Sequence, residues 1–145
     1  MPGTMLGTYK VVGQSVSNTC GLAAPNPWTF DIQLSEENGS LYWNWLDGSP
    51  LLQGALTQQT AIITQSQTDN VDSTDAGLGP CNLERNDTMN VTLASGSPPG
   101  SFGGTLGYSF SVPSGSTCSD QLASAGGMYN ALPCSVSYMV SATRQ

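Results

Sequence analysis

Apolar and polar residues alternate at period two through most of this chain, in runs bounded by Gly, Pro, Asn and Asp. Alternation puts successive side chains on opposite faces of an extended strand, so each run has one dry face and one wet face. A helical stripe, which recurs every three to four residues, is almost nowhere to be found. Eight strands are expected, at about Gly7–Val16, Trp28–Ser35, Leu41–Leu46, Leu51–Thr57, Ala61–Gln67, Leu83–Leu93, Phe102–Val112 and Ser135–Arg144. The dry faces are clearest in the second strand (Trp28, Phe30, Ile32, Leu34), the sixth (Met89, Val91, Leu93), the seventh (Phe102, Leu106, Tyr108, Phe110, Val112) and the eighth (Val136, Tyr138, Val140).

The connections sort by length. Those after the second strand ("ENGS"), the fourth ("QQ") and the sixth ("SGSPPG") are short, whereas those after the first, fifth and seventh are long. In an up-and-down meander this puts the tight turns at one end and the long loops at the other, with the short "DGSP" after the third strand as the exception. The expectation is an all-β single domain over residues 1–145, an eight-stranded antiparallel up-and-down barrel. A domain of this length buries roughly two thirds of the surface of its unfolded chain, enough for a real core.

Four cysteines test that arrangement. Cys20 follows the first strand and Cys134 precedes the eighth, so the two meet if the meander closes. Cys81 precedes the sixth strand and Cys118 follows the seventh, at the same end of neighbouring strands. The pairing expected among the three possible is therefore Cys20–Cys134 with Cys81–Cys118. Zinc ligation by thiolates is disfavoured, since there is no His and no C-x-x-C spacing.

Asn38-Gly39 is a strong signal for a two-residue hairpin, whose type I′ turn needs positive φ at both residues. Counting outward from it sets Glu37 opposite Ser40, Leu34 opposite Trp43 and Ile32 opposite Trp45, with both indoles on the dry face. Tyr42 then faces Ser35, and Asn44 faces Gln33, on the wet side. Trp43 and Trp45 read as core packing, with Trp45, nearer the long-loop end, a candidate to border a cavity.

The dry face of the sixth strand carries an anomaly. Extending Leu93, Val91, Met89 toward the long loops reaches Asp87, Arg85 and then Leu83, which turns two of the few charges inward. They form either an ion pair satisfied at the barrel mouth or a ligand anchor, Arg85 offering five donors to a carboxylate or phenolate with Asp87 orienting it. Trp28, Phe30, Trp45, Tyr108, Phe110 and Tyr138 fall at the same depth by register. Aromatic walls with one polar anchor are the usual form of a small-molecule site.

An eight-stranded meander with its short loops at one end resembles the lipocalins and the wider calycin superfamily, bacterial secreted members in particular. That family has G-x-W at the start of the first strand and a basic residue at the end of the last, packed across the tryptophan. Here Gly7-Thr8-Tyr9 and Arg144 take those places, and register puts Tyr9 and Arg144 on one face, within reach of a cation–π contact. Tyr stands where the family has Trp, and no helix is expected after the last strand. The resemblance implies a closed barrel that carries a small hydrophobic ligand.

Composition narrows the alternatives. With three basic side chains against ten acidic ones, the chain repels phosphate backbones and anionic lipid, so nucleic acid is not an expected partner. No apolar run is long enough to span a bilayer as a helix. Paired cysteines in a Ser/Thr/Gly-rich chain suggest an oxidising compartment: secreted, periplasmic or attached to the outer cell envelope. "MPGTMLGTYK" lacks the basic and apolar regions of a secretion signal, and Met1 is taken to replace a removed leader. Asp69, Asp72 and Asp75, at three-residue intervals in the loop after the fifth strand, either form a solvated acidic loop or hold calcium; no other cofactor is implied. Sequons at Asn38, Asn86 and Asn90 matter only in a glycosylating host.

Catalysis lacks parts: there is no His, no G-x-S-x-G and no carboxylate pair that spacing alone can place. The leading expectation is noncovalent binding of a small apolar or aromatic ligand at the long-loop end. The alternative is a non-catalytic cell-surface or interaction module whose barrel is filled by its own side chains.

Overall fold

A computed structural model of the chain describes residues 1–71 and 80–145. Within them the strands are β1 (Thr4–Asn18), β2 (Trp28–Glu37), β3 (Ser40–Asn44), β4 (Leu52–Thr57), β5 (Thr60–Val71), β6 (Cys81–Leu93), β7 (Ser101–Ser111) and β8 (Cys134–Arg144). Each pairs antiparallel with the next, and β8 returns to β1 through Tyr9–Arg144 and Val11–Ala142, closing an up-and-down barrel. The buried core is apolar, and polar side chains cover most of the outside, with Met5, Val16, Ile62 and Met139 as exposed exceptions. Among the described residues no helix is long and apolar enough to cross a membrane.

The β2–β3 hairpin takes the register expected of its turn. Asn38 and Gly39 have φ of 51° and 78°, Glu37 lies opposite Ser40, and Leu34 lies opposite Trp43. Ile32, Leu34 and Trp43 are accordingly buried at 0%, 0% and 1% exposure. One residue departs from the expected wet face: Ser35 is fully buried, flanked across the strands by Met5 and Tyr42. Its hydroxyl has no hydrogen-bond partner among the described residues.

Strand boundaries move in two places. β3 stops at Asn44, where the Asn44 side chain accepts from the Leu46 amide (3.2 Å) and Leu46 turns left-handed with φ of 64°. Asp47 then accepts from the Ser49 amide at 2.9 Å. These side-chain-capped turns end the strand, so Trp45 lies beyond it and the connection spans residues 45–51. The tight exception at the long-loop end disappears. β5 and β6, in turn, run further than the alternation indicated, staying paired as far as Val71 and Cys81.

At the tight-turn end, β1 has a bulge between Met5 and Gly7. Gly7 sits there at φ 140°, and the Arg144 side chain lies so close over it that a Cβ would collide. Arg144 does not stack on Tyr9. The Tyr9 ring is directed inward against Phe102 (5.4 Å), and its hydroxyl donates to the Pro99 carbonyl at 2.6 Å. Among the described residues the cation over an aromatic ring is Arg85.

Both expected disulfides form, Cys20–Cys134 and Cys81–Cys118. With them the segment between β7 and β8 is tied down as a plug. The Thr117 amide donates to the Pro80 carbonyl (3.0 Å), and the Asn130 amide to the Cys20 carbonyl (2.8 Å). Two short 3-10 turns, Ser119–Gln121 and Ala123–Ala125, lead to Tyr129, which is buried against Phe110 at 5.1 Å.

Candidate functional site

The site is a notch in the barrel wall, and strand length creates it. The registered β4–β5 ladder is confined to Leu56–Ala61 and Thr57–Thr60, at the tight-turn end, whereas β5 continues to Val71 paired with β6. Gly54 lets β4 pass close to the Ile62 carbonyl, where a Cβ would collide. Beyond that point the 45–51 connection stands where a longer β3 and β4 would have completed the wall. A cleft of about 290 Å³ opens there.

One wall is aromatic. Trp28, at the start of β2, and Trp45, just past β3, are each half-buried and near-parallel (21°), with ring centroids 6.2 Å apart. Phe30 backs both, at 4.5 Å from Trp28 and 5.3 Å from Trp45.

The opposite wall is polar and is built by register. Gln67 lies opposite Arg85 and Gln65 opposite Asp87 across β5–β6; Arg85 lies opposite Phe110 and Asp87 opposite Tyr108 across β6–β7. Alternate residues of adjacent strands share a face, so these six side chains form one inward block. Arg85 Nε donates to Asp87 Oδ1 at 2.9 Å, an ion pair whose members are 33% and 17% exposed. The guanidinium also rests over Tyr108, 4.5 Å from its centroid, and lies 5.6 Å from that of Phe110. Burial raises the Tyr108 phenol above its ordinary value, Arg85 opposing the shift and Asp87 adding to it.

Of the residues singled out by sequence, Trp28, Trp45, Arg85 and Asp87 line the cleft together. Phe30 and Tyr108 support them from behind. Phe110 and Tyr138 lie deeper: Phe110 is covered by Tyr129, and Tyr138, 1% exposed, packs on Trp28 at 5.2 Å and donates to the Pro25 carbonyl at 2.9 Å. Asp69 belongs to β5, opposite Leu83, rather than to a loop. Asp72 and Asp75 lie outside the described residues. Among the described residues no three His, Cys, Asp or Glu side chains come together as a metal cage.

Gln65, Gln67, Asp47, Ser49 and Pro50 also line the cleft. The two glutamines were legible in principle, since the dry face of the fifth strand, Ala61 and Ile63, runs on to them at period two. The loop residues carried no such signal. Hydrogen bonds from Ser49 hold the Asp47 carboxyl below the ordinary carboxylate value, so it stays ionised beside the rings.

Below the notch the barrel is occupied by its own rings. Trp45 meets Trp43 edge-on (5.3 Å, 67°), Trp43 meets Phe102 (5.9 Å, 63°), and Phe102 meets Tyr9, a continuous aromatic column down to the tight turns.

No family model, curated protein or solved structure matches the chain.

Proposed function

We propose that this protein binds a small ligand noncovalently, without catalysis, in the notch at the long-loop end, as an exported, disulfide-stapled barrel of the lipocalin kind. The observation that carries the reading is the convergence of two half-buried indoles and the Arg85–Asp87 pair on one cleft. A concave site with apolar walls and a few fixed polar groups is the form small-molecule sites take. Paired cysteines favour export because such bonds persist outside the reducing cytosol. The volume lies near the bottom of the usual range of about 300–1,000 Å³, which suits a ligand of one ring rather than a long acyl chain.

The test uses tryptophan emission, since two of the three indoles line the cleft. Titration with a panel of small ring compounds, apolar and polar, and native mass spectrometry of protein purified from its own host should reveal a ligand whose binding Trp45→Ala and Arg85→Ala both weaken. A panel that leaves emission unchanged, with no copurifying ligand, would sink the reading.

The competing reading, a cell-surface interaction module, is favoured by the aromatic column, which leaves the lower barrel to its own side chains. Under it, substitutions in the notch alter stability alone.

A further inference from the structure

We infer that the ligand of the notch is an uncharged pyranose, a monosaccharide or the terminal unit of a glycan. This rests on the notch being a binding site, as proposed above.

Three observations lead there. The first is charge. Arg85 is already neutralised by Asp87, and Asp47 adds an ionised carboxylate on the other side, so the cleft carries a net negative charge in a chain of net charge −7. An anionic ligand would meet repulsion that Arg85 cannot offset, which removes the carboxylate or phenolate expected for a bare arginine.

The second is the balance of the lining. Facing the two indoles are the amides of Gln65 and Gln67, neither with a side-chain partner among the described residues, and the Arg85 donors that Asp87 leaves unused. A wholly apolar ligand would strip water from these groups and give nothing back. Hydroxyls both donate and accept, so a ring of hydroxyls can satisfy carboxylate, amide and guanidinium together.

The third is the geometry of the rings. Trp28 and Trp45 lie near-parallel with centroids 6.2 Å apart. A third ring between them would need about 7 Å, two carbon contacts of about 3.5 Å each. A ligand therefore lies against this wall rather than between its rings, presenting one apolar face to the indoles and a polar rim to the opposite strands. A pyranose has that shape: C–H groups on a face, hydroxyls around the edge.

Isothermal titration calorimetry with the methyl glycosides of glucose, galactose, mannose and N-acetylglucosamine tests the assignment. Parallel titrations use glucuronate and galacturonate, as charged counterparts, and indole, as a flat apolar probe. At least one neutral glycoside should bind, at least about tenfold more weakly to Trp45→Ala, the loss expected of a central aromatic anchor. Gln67→Ala, an exposed position, should weaken binding several-fold with an unchanged thermal midpoint, which separates recognition from folding. The uronates should bind more weakly than their neutral parents. Indole binding that Trp45→Ala abolishes, with no neutral glycoside binding, overturns the sugar and keeps the notch. Uronates binding as tightly as neutral sugars overturn the charge argument and the assignment with it. If neither sugars nor indole bind, the notch reading falls as well.

Discussion

At the tight-turn end Tyr9, Trp43 and Phe102 interlock at 0%, 1% and 3% exposure, and backbone turns close the barrel without covalent help. At the long-loop end Trp28, Phe30 and Trp45 remain partly exposed, and each disulfide ties a connection, at Cys20 or Cys118, to the first residue of a strand, Cys134 or Cys81. The same residue type does different work at the two ends. Short turns let rings pack fully, whereas the stapled long connections bury Phe110, Tyr129 and Tyr138 but leave Trp28, Phe30 and Trp45 partly open. The partly open indoles at one end are compatible with a stable fold because buried side chains fill the barrel elsewhere, from Tyr9 and Trp43 to Tyr138.

The largest effect should come from removing the staples. In the chain-entropy picture, opening Cys20–Cys134, with a sequence separation of 114, costs close to 5 kcal/mol, and opening Cys81–Cys118, with a separation of 37, about 4 kcal/mol. Guanidinium unfolding of Cys20→Ser/Cys134→Ser and Cys81→Ser/Cys118→Ser should rank them in that order. Equal, negligible losses would mean that the long-loop end needs no covalent support.

Next comes the contrast between the tryptophans. Trp43→Ala empties a fully buried site and should cost about 3–5 kcal/mol. Trp45→Ala, at a half-buried site, should cost about 1–2 kcal/mol. A thermal melt showing the reverse order would break the division between a packed end and an open one.

Alkaline pH probes both ends together. Burial raises the phenols of Tyr9, Tyr108, Tyr129 and Tyr138 above the ordinary value of 10.0, opposed at Tyr9 by Arg144 and at Tyr108 and Tyr129 by Arg85. Because the folded state holds these protons more tightly than the unfolded chain, their contribution is complete below pH 10 and is lost as pH rises through the folded values. Stability should therefore be flat from neutrality to about pH 9 and fall beyond about pH 10. Absorbance at 295 nm, followed beside the melting temperature, checks this; Tyr9→Phe should remove the share of the tight-turn end.

The smallest expected change is a gain. Ser35 buries a hydroxyl without a partner among the described residues, so Ser35→Ala should raise stability by up to about 1 kcal/mol. A loss of that size would show that a hidden partner holds the hydroxyl.

Much of this architecture was legible in the chain itself. Period two dictates which residues face in, the Asn38-Gly39 turn sets the β2–β3 register, and the alternation of short and long connections, with the cysteine positions, implies closure and both disulfides. These are local rules propagated along one strand or one hairpin, and the same period turns Arg85 and Asp87 inward. What tertiary structure alone decided is the notch. Where β4 parts from β5, how Asp47 and Ser49 come to face Gln65 and Gln67, and how Tyr129 seals Phe110 depend on strand lengths and loop paths. Side-chain-capped turns and packing between residues far apart in sequence set those, and no periodicity records them. The sequence offered Arg85 either an ion pair with Asp87 or a free role as ligand anchor; only their 2.9 Å separation decides for the pair, and so changes which ligand Arg85 can greet.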